Sequence, residues 1–142
     1  MFKIFKKKKE SNLDNKNIIV AALLIHAARM DENYTDIERK IIKKALVDLN
    51  SISEPQSEEI IKLAEKEEEE SNQIVNFTGE VKKYSMEYRL KIIEVIWKIV
   101  YSDGVTDSYE SNLIRRICGL LYVSDKDNGI IKNKIKNLQN LK

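Results

Sequence analysis

The sequence predicts an all-α protein: a compact helical bundle of about seven helices with an internally duplicated helical hairpin. Three observations carry this. Apolar residues recur with the 3.6 period of helices almost throughout. One proline and four glycines in 142 residues leave little of the punctuation that hairpins need. A shift of 72 residues lays residues 20–49 on residues 92–121 without a gap.

The elements follow in order. Residues 17–30 are apolar nearly all round, so this helix should be central. Residues 35–49 are amphipathic, with Ile37, Ile41, Ile42, Ala45, Leu46 and Leu49 facing in and Arg39, Lys40, Lys43 and Lys44 facing out. Ser53 starts a third helix, with Pro55 tolerated in the first turn. Its face is Ile60, Ile61, Leu63 and Ala64, and it ends in the glutamate run 67–70. A fourth segment carries Ile74, Phe77, Val81 and Tyr84. Ser85 caps a fifth helix reaching about Tyr101, and Asp107 a sixth reaching Leu121. Ser124 or Asp125 opens a seventh, with Ile130, Ile131, Ile135 and Leu138. Residues 1–15 form a basic N-terminal segment expected to be disordered, and residues 16–142 form one helical domain.

The duplication aligns Asp31 with Asp103, Glu38 with Glu110, Ile25 with Trp97 and His26 with Lys98. Each copy reads as apolar helix, short acidic loop, amphipathic helix. One such hairpin cannot bury its own apolar face, so the two copies should pack together.

Composition removes most chemistry. One cysteine excludes an intramolecular disulfide, and one histidine excludes paired-histidine zinc sites. Neither GxGxxG nor GxxxxGK[ST] occurs. No nucleophile, base and oxyanion donor can be assembled, so no enzyme is expected. His26 reads as a partly exposed slot, because the second copy holds Lys98 there. Cys118 and Trp97 read as core residues. The longest uninterrupted apolar run is residues 18–25, well short of the roughly 20 residues a membrane span needs. With no signal-type apolar stretch after the basic start, the expected location is cytoplasmic.

The acidic loops are the repeated polar feature. They run from Asp31 through Thr35 to Glu38, and from Asp103 through Asp107 to Glu110. Thr35-x-x-Glu38 is a capping box, and Asp107-x-x-Glu110 is its aspartate form. Two carboxylates with loop carbonyls would also suit a hard divalent cation, Ca²⁺ or Mg²⁺. An EF-hand is rejected: position 6 is Asp36 or Ser108 instead of glycine, and position 12 is Ile42 or Ile114 instead of glutamate.

The second copy, from Ile96 and Trp97 through Asp103 and Gly104 to Glu110 and on to Arg116, resembles the TerB-like (tellurite-resistance protein B-like) family. The first copy, from Ala28 through Asp31 to Glu38, follows the same pattern, and Phe77 with Thr78 and the acids before them look like the middle of single-domain bacterial members. The resemblance implies an all-helical duplicated fold, a cytoplasmic protein linked to stress or tellurite resistance near the membrane, and cation sensing through acidic residues. Carried over residue by residue, the metal candidates are Asp31, Glu38, Asp103 and Glu110, with Asp107 secondary. The first copy departs from the pattern, with Glu32 in place of the turn glycine and Thr35 in place of an acid.

The net charge of +2 conceals a pattern. Residues 1–9 hold five lysines, residues 54–71 hold eight glutamates against two lysines, and residues 122–142 hold five lysines against two aspartates. A protein partner is expected, acting on a non-enzymatic interaction or scaffold module. The alternative is a peripheral adaptor, with residues 1–9 on an anionic membrane surface at the inner face of the membrane. No nucleic-acid-binding fingerprint occurs.

Overall fold

The computed structural model describes residues 12–29, 34–71, 73–102 and 108–140. Among them are seven helices and no strand: α1 (Asn12–Ala28), α2 (Asp36–Asn50), α3 (Glu54–Ser71), α4 (Val75–Val81), α5 (Met86–Tyr101), α6 (Ser108–Leu120) and α7 (Asp125–Asn140). The all-α bundle of about seven helices is therefore observed. Helix α1 begins at Asn12, inside the segment expected to lack structure.

Helix α1 is the central element. Every side chain from Ile18 to Ile25 is buried, and α2, α3, α4 and α5 all pack against it. That burial follows from a stretch apolar on all sides, which has no face to offer water. Its counterpart α5 is apolar on a broad stripe only. Ile92, Ile93, Val95, Ile96, Trp97, Ile99 and Val100 are buried, while Lys91 and Lys98 stay in solvent. Trp97 stacks on Tyr101 and donates its indole N–H to Asn128 Oδ1 at 2.9 Å, which ties α5 to α7.

Helix starts are set by local chemistry. Ser85 Oγ accepts the Tyr88 amide at 3.2 Å, and Ser124 Oγ accepts the Asp127 amide at 3.1 Å. Ser53 and Gln56 form a reciprocal pair. The Gln56 amide donates to Ser53 Oγ at 3.3 Å, and the Ser53 amide donates to Gln56 Oε1 at 3.0 Å.

The structure extends the duplication by a third helix. Beyond the hairpins the offset falls from 72 residues to 71, because α2 with the turn after it spans residues 36–53 and α6 with its turn spans residues 108–124, one residue fewer. At that offset Ser51 matches Tyr122, Ile52 matches Val123, Ser53 matches Ser124, Ile60 matches Ile131 and Ala64 matches Ile135. Ser51 (φ 55°) and Tyr122 (φ 59°) are the non-glycine residues with left-handed backbone among those described. Each ends the amphipathic helix of its copy, where a left-handed residue lets the chain turn back. Both copies are thus three-helix units, α1–α2–α3 and α5–α6–α7, joined by α4.

Candidate functional site

Within the first acidic loop, the structure describes only the half that caps α2. Thr35 is extended (φ −90°, ψ 165°), and its Oγ1 accepts the Glu38 amide at 3.1 Å. The Thr35 amide in turn donates to Glu38 Oε1 at 2.8 Å. This closed capping box holds the nearly buried Glu38 carboxylate against backbone. Asp31, Asp103 and Asp107 lie outside the described residues, as does the side chain of Glu110 in α6. Among the described residues, no group of three or more His, Cys, Asp or Glu side chains is arranged to hold a metal ion.

The glutamate-rich helix α3 is turned partly inward. Arg39 of α2 binds Glu58 through both terminal nitrogens, at 3.0 and 2.6 Å, and its Nε donates to Glu65 Oε2 at 2.9 Å. The Arg39 contact holds the Glu58 carboxyl down, from its ordinary 4.5 to about 2. Tyr34 also donates to Glu65 Oε2, at 2.8 Å. Burial, and then the Glu65 contact, raise its phenol well above the usual range. Glu68 is buried between Arg29, which donates to Oε1, and His26 Nδ1, 3.1 Å from Oε2. Lys43 reaches Glu54 at 3.6 Å and Glu58 at 3.5 Å. Much of the acidic belt seen in the sequence is therefore a clamp of α3 onto α1 and α2. Sequence spacing did not show this, because it depends on which face of α3 meets α2.

His26 accordingly sits under α3 and half-faces Phe77, with ring centroids 6.3 Å apart. Cys118 is fully buried on α6. Burial, followed by the nearby Asp125 charge, pushes its thiol up to about 12. Arg115 and Arg116 are neighbours in sequence only, and both project into solvent. A neutral, buried thiol is a packing group, not a nucleophile.

An open groove of about 590 Å³ lies between α2, α5 and α7. Its floor is apolar: Ile41, Ala45 and Leu49 from α2, Val95 from α5, Ile135 and Leu138 from α7. Its rim is charged, with Lys44 and Asp48 on one side and Lys91, Glu94 and Lys98 on the other. Lys134 reaches Glu94 at 2.7 Å, and Lys44 lies 3.7 Å from Asp48. Lys98 makes no ion pair among the described residues. Leu138, at 47% exposure, stands open at the mouth. Sequence reasoning assigned Ile41, Leu49 and Leu138 to the core and passed over the groove. The available signal was the mismatch of Lys98 with His26.

These features define a class first: a duplicated, all-helical module that carries an open apolar groove. The family model described as "Tellurite resistance protein TerB" matches residues 17–133, and the chain belongs to that family. Comparisons with curated proteins and with solved structures find no match. None of the described helices is long and apolar enough to cross a membrane.

Proposed function

We propose that this TerB-family chain is a non-enzymatic interaction module that binds a partner protein in the groove between α2, α5 and α7. The observation that carries this reading is the groove itself. Over a buried floor of Ala45, Val95 and Ile135 it leaves Ile41 and Leu49 half-buried and Leu138 exposed on a three-helix frame. A concave, largely apolar surface with a few charged groups at its edge is the usual form of a binding site. The chemistry of the described residues fits the same reading, since Cys118 is held neutral in the core and His26 is committed to Glu68. A role in tellurite resistance is what the family description suggests for the assembly the module serves.

The test is affinity capture from cell extract with the full chain and with Ala45→Arg, which sets a guanidinium into the groove floor. A partner retained by the wild type and lost by a folded Ala45→Arg variant supports the reading. Identical captured proteins for both would overturn it.

A further inference from the structure

The two copies differ at one place that bears on what enters the groove. Helix α4 packs against both α1 and α6 and buries Phe77 and Val81 completely. Phe77 faces His26, whose counterpart in the second copy is Lys98 on the rim of the open groove. By the duplication, α1 and α6 correspond to α5 and α2. The first copy's site is therefore already covered by a short helix supplied by the chain itself. The related site on α5 and α2 has no such cover among the described residues. Resting on the reading above, we propose that the groove takes an acidic amphipathic helix from a partner protein.

The chemistry follows from the rim. Lys44, Lys91 and Lys98 stand on the rim with Lys134 beside it; Lys44 pairs with Asp48, Lys91 with Glu87 at 3.7 Å and Lys134 with Glu94, which leaves the Lys98 ammonium as the excess positive charge among the described residues. Lys91 and Lys98 are seven residues apart on α5, about 10.5 Å along the helix axis. A helix lying along α5 would meet them with carboxylates at positions i and i+7, and would set apolar residues at i+3 and i+4 over Val95 and Leu138. This is helix-in-groove recognition with charge complementarity fixing the register.

Other occupants fit less well. A second copy could offer its acidic α3, but the apolar residues of that helix, Ile60, Ile61 and Ala64, are buried in its own core. Such a helix has only the half-buried Leu63 to place on an apolar floor. Residues 1–9 carry five lysines, the same sign as the rim.

The experiment uses the full chain and two fluorescein-labelled, side-chain-stapled helices. One has Glu at i and i+7 with Leu at i+3 and i+4, and the other has Lys in place of Glu. Anisotropy titrations should show the acidic helix binding, more weakly as salt rises. The double variant Lys91→Glu/Lys98→Glu should lose about tenfold in affinity for it and come to prefer the lysine helix. Both substituted residues are exposed, so the helical circular dichroism should not change. Lys62→Glu, on α3, should leave affinity unchanged. Equal binding of both helices, binding of neither, or indifference to the double charge reversal would overturn the proposal. So would phosphatidylglycerol vesicles responding to that reversal while the peptide does not. Binding that arises only after deletion of residues 1–11 would assign the groove to the chain's own N-terminus and overturn it as well. If Ala45→Arg loses a captured partner while the acidic helix fails to bind, the interaction reading stands and only the acidic occupant falls.

Discussion

At the scale of single residues, Arg39 organises the polar side of the molecule. Its guanidinium makes a bidentate contact to Glu58 and a third bond to Glu65. Such forked contacts are the stronger kind of charge-assisted bond, and lysine could not reproduce them. Because Glu58 titrates near 2 in the fold against an ordinary 4.5, its stabilising contribution is present above about pH 4.5. It is lost as pH falls through the folded value. Glu58→Gln should therefore melt below the wild type at pH 6, and the gap should shrink steadily between pH 4.5 and 2. A gap independent of pH in thermal melts would refute the ionic origin.

Thr35 invites a second test at this scale. Thr35→Ala removes the acceptor for the Glu38 amide and should cost about 1 kcal/mol. If the loop is a cap and not a cation site, that loss is the same with Ca²⁺ and with chelator. A loss that appears only with the ion would place a cation against Glu38.

At the scale of elements, much was readable before the structure. Thr35 with Glu38, and Ser85, announce helix starts because the capping chemistry is local. The apolar girth of residues 18–25 announces the central helix, because no partly exposed helix tolerates it. The inward glutamates of α3 were not readable. Glu58, Glu65 and Glu68 look like a solvated face until α2 and α1 bring Arg39, Arg29 and His26 across to them. The groove was hidden for a similar reason. Ile41 and Leu138 sit at core positions of their own helices, and only the way α2, α5 and α7 come together makes them line a groove. The left-handed residue that follows each amphipathic helix is a local feature as well, turning the chain toward the third helix of its copy. Ser51 takes a conformation that costs a side-chain-bearing residue roughly 1 kcal/mol and glycine nothing. Ser51→Gly should thus raise stability by about 0.5 kcal/mol in denaturant titrations, net of glycine's greater freedom when unfolded. A loss of 1 kcal/mol or more would mean the serine side chain has a role not seen in its contacts.

At the scale of the whole molecule, duplication and its imperfection account for the architecture together. Two three-helix units bury each other's apolar faces, and the connecting α4 covers one of two related sites. The total charge of +2 gives no hint of this. An acidic belt is largely consumed by the α3 clamp, while lysines gather where the other site stays open. The proposed binding site thus lies where the repeat is broken. The most direct measurement is photocrosslinking in cells, with benzoylphenylalanine in place of Lys98 in one strain and of Lys62 in another. The account predicts a discrete adduct from position 98, mapped by mass spectrometry to an acidic helical segment, and none from position 62. Adducts of equal yield from both positions, or none from position 98, would contradict it.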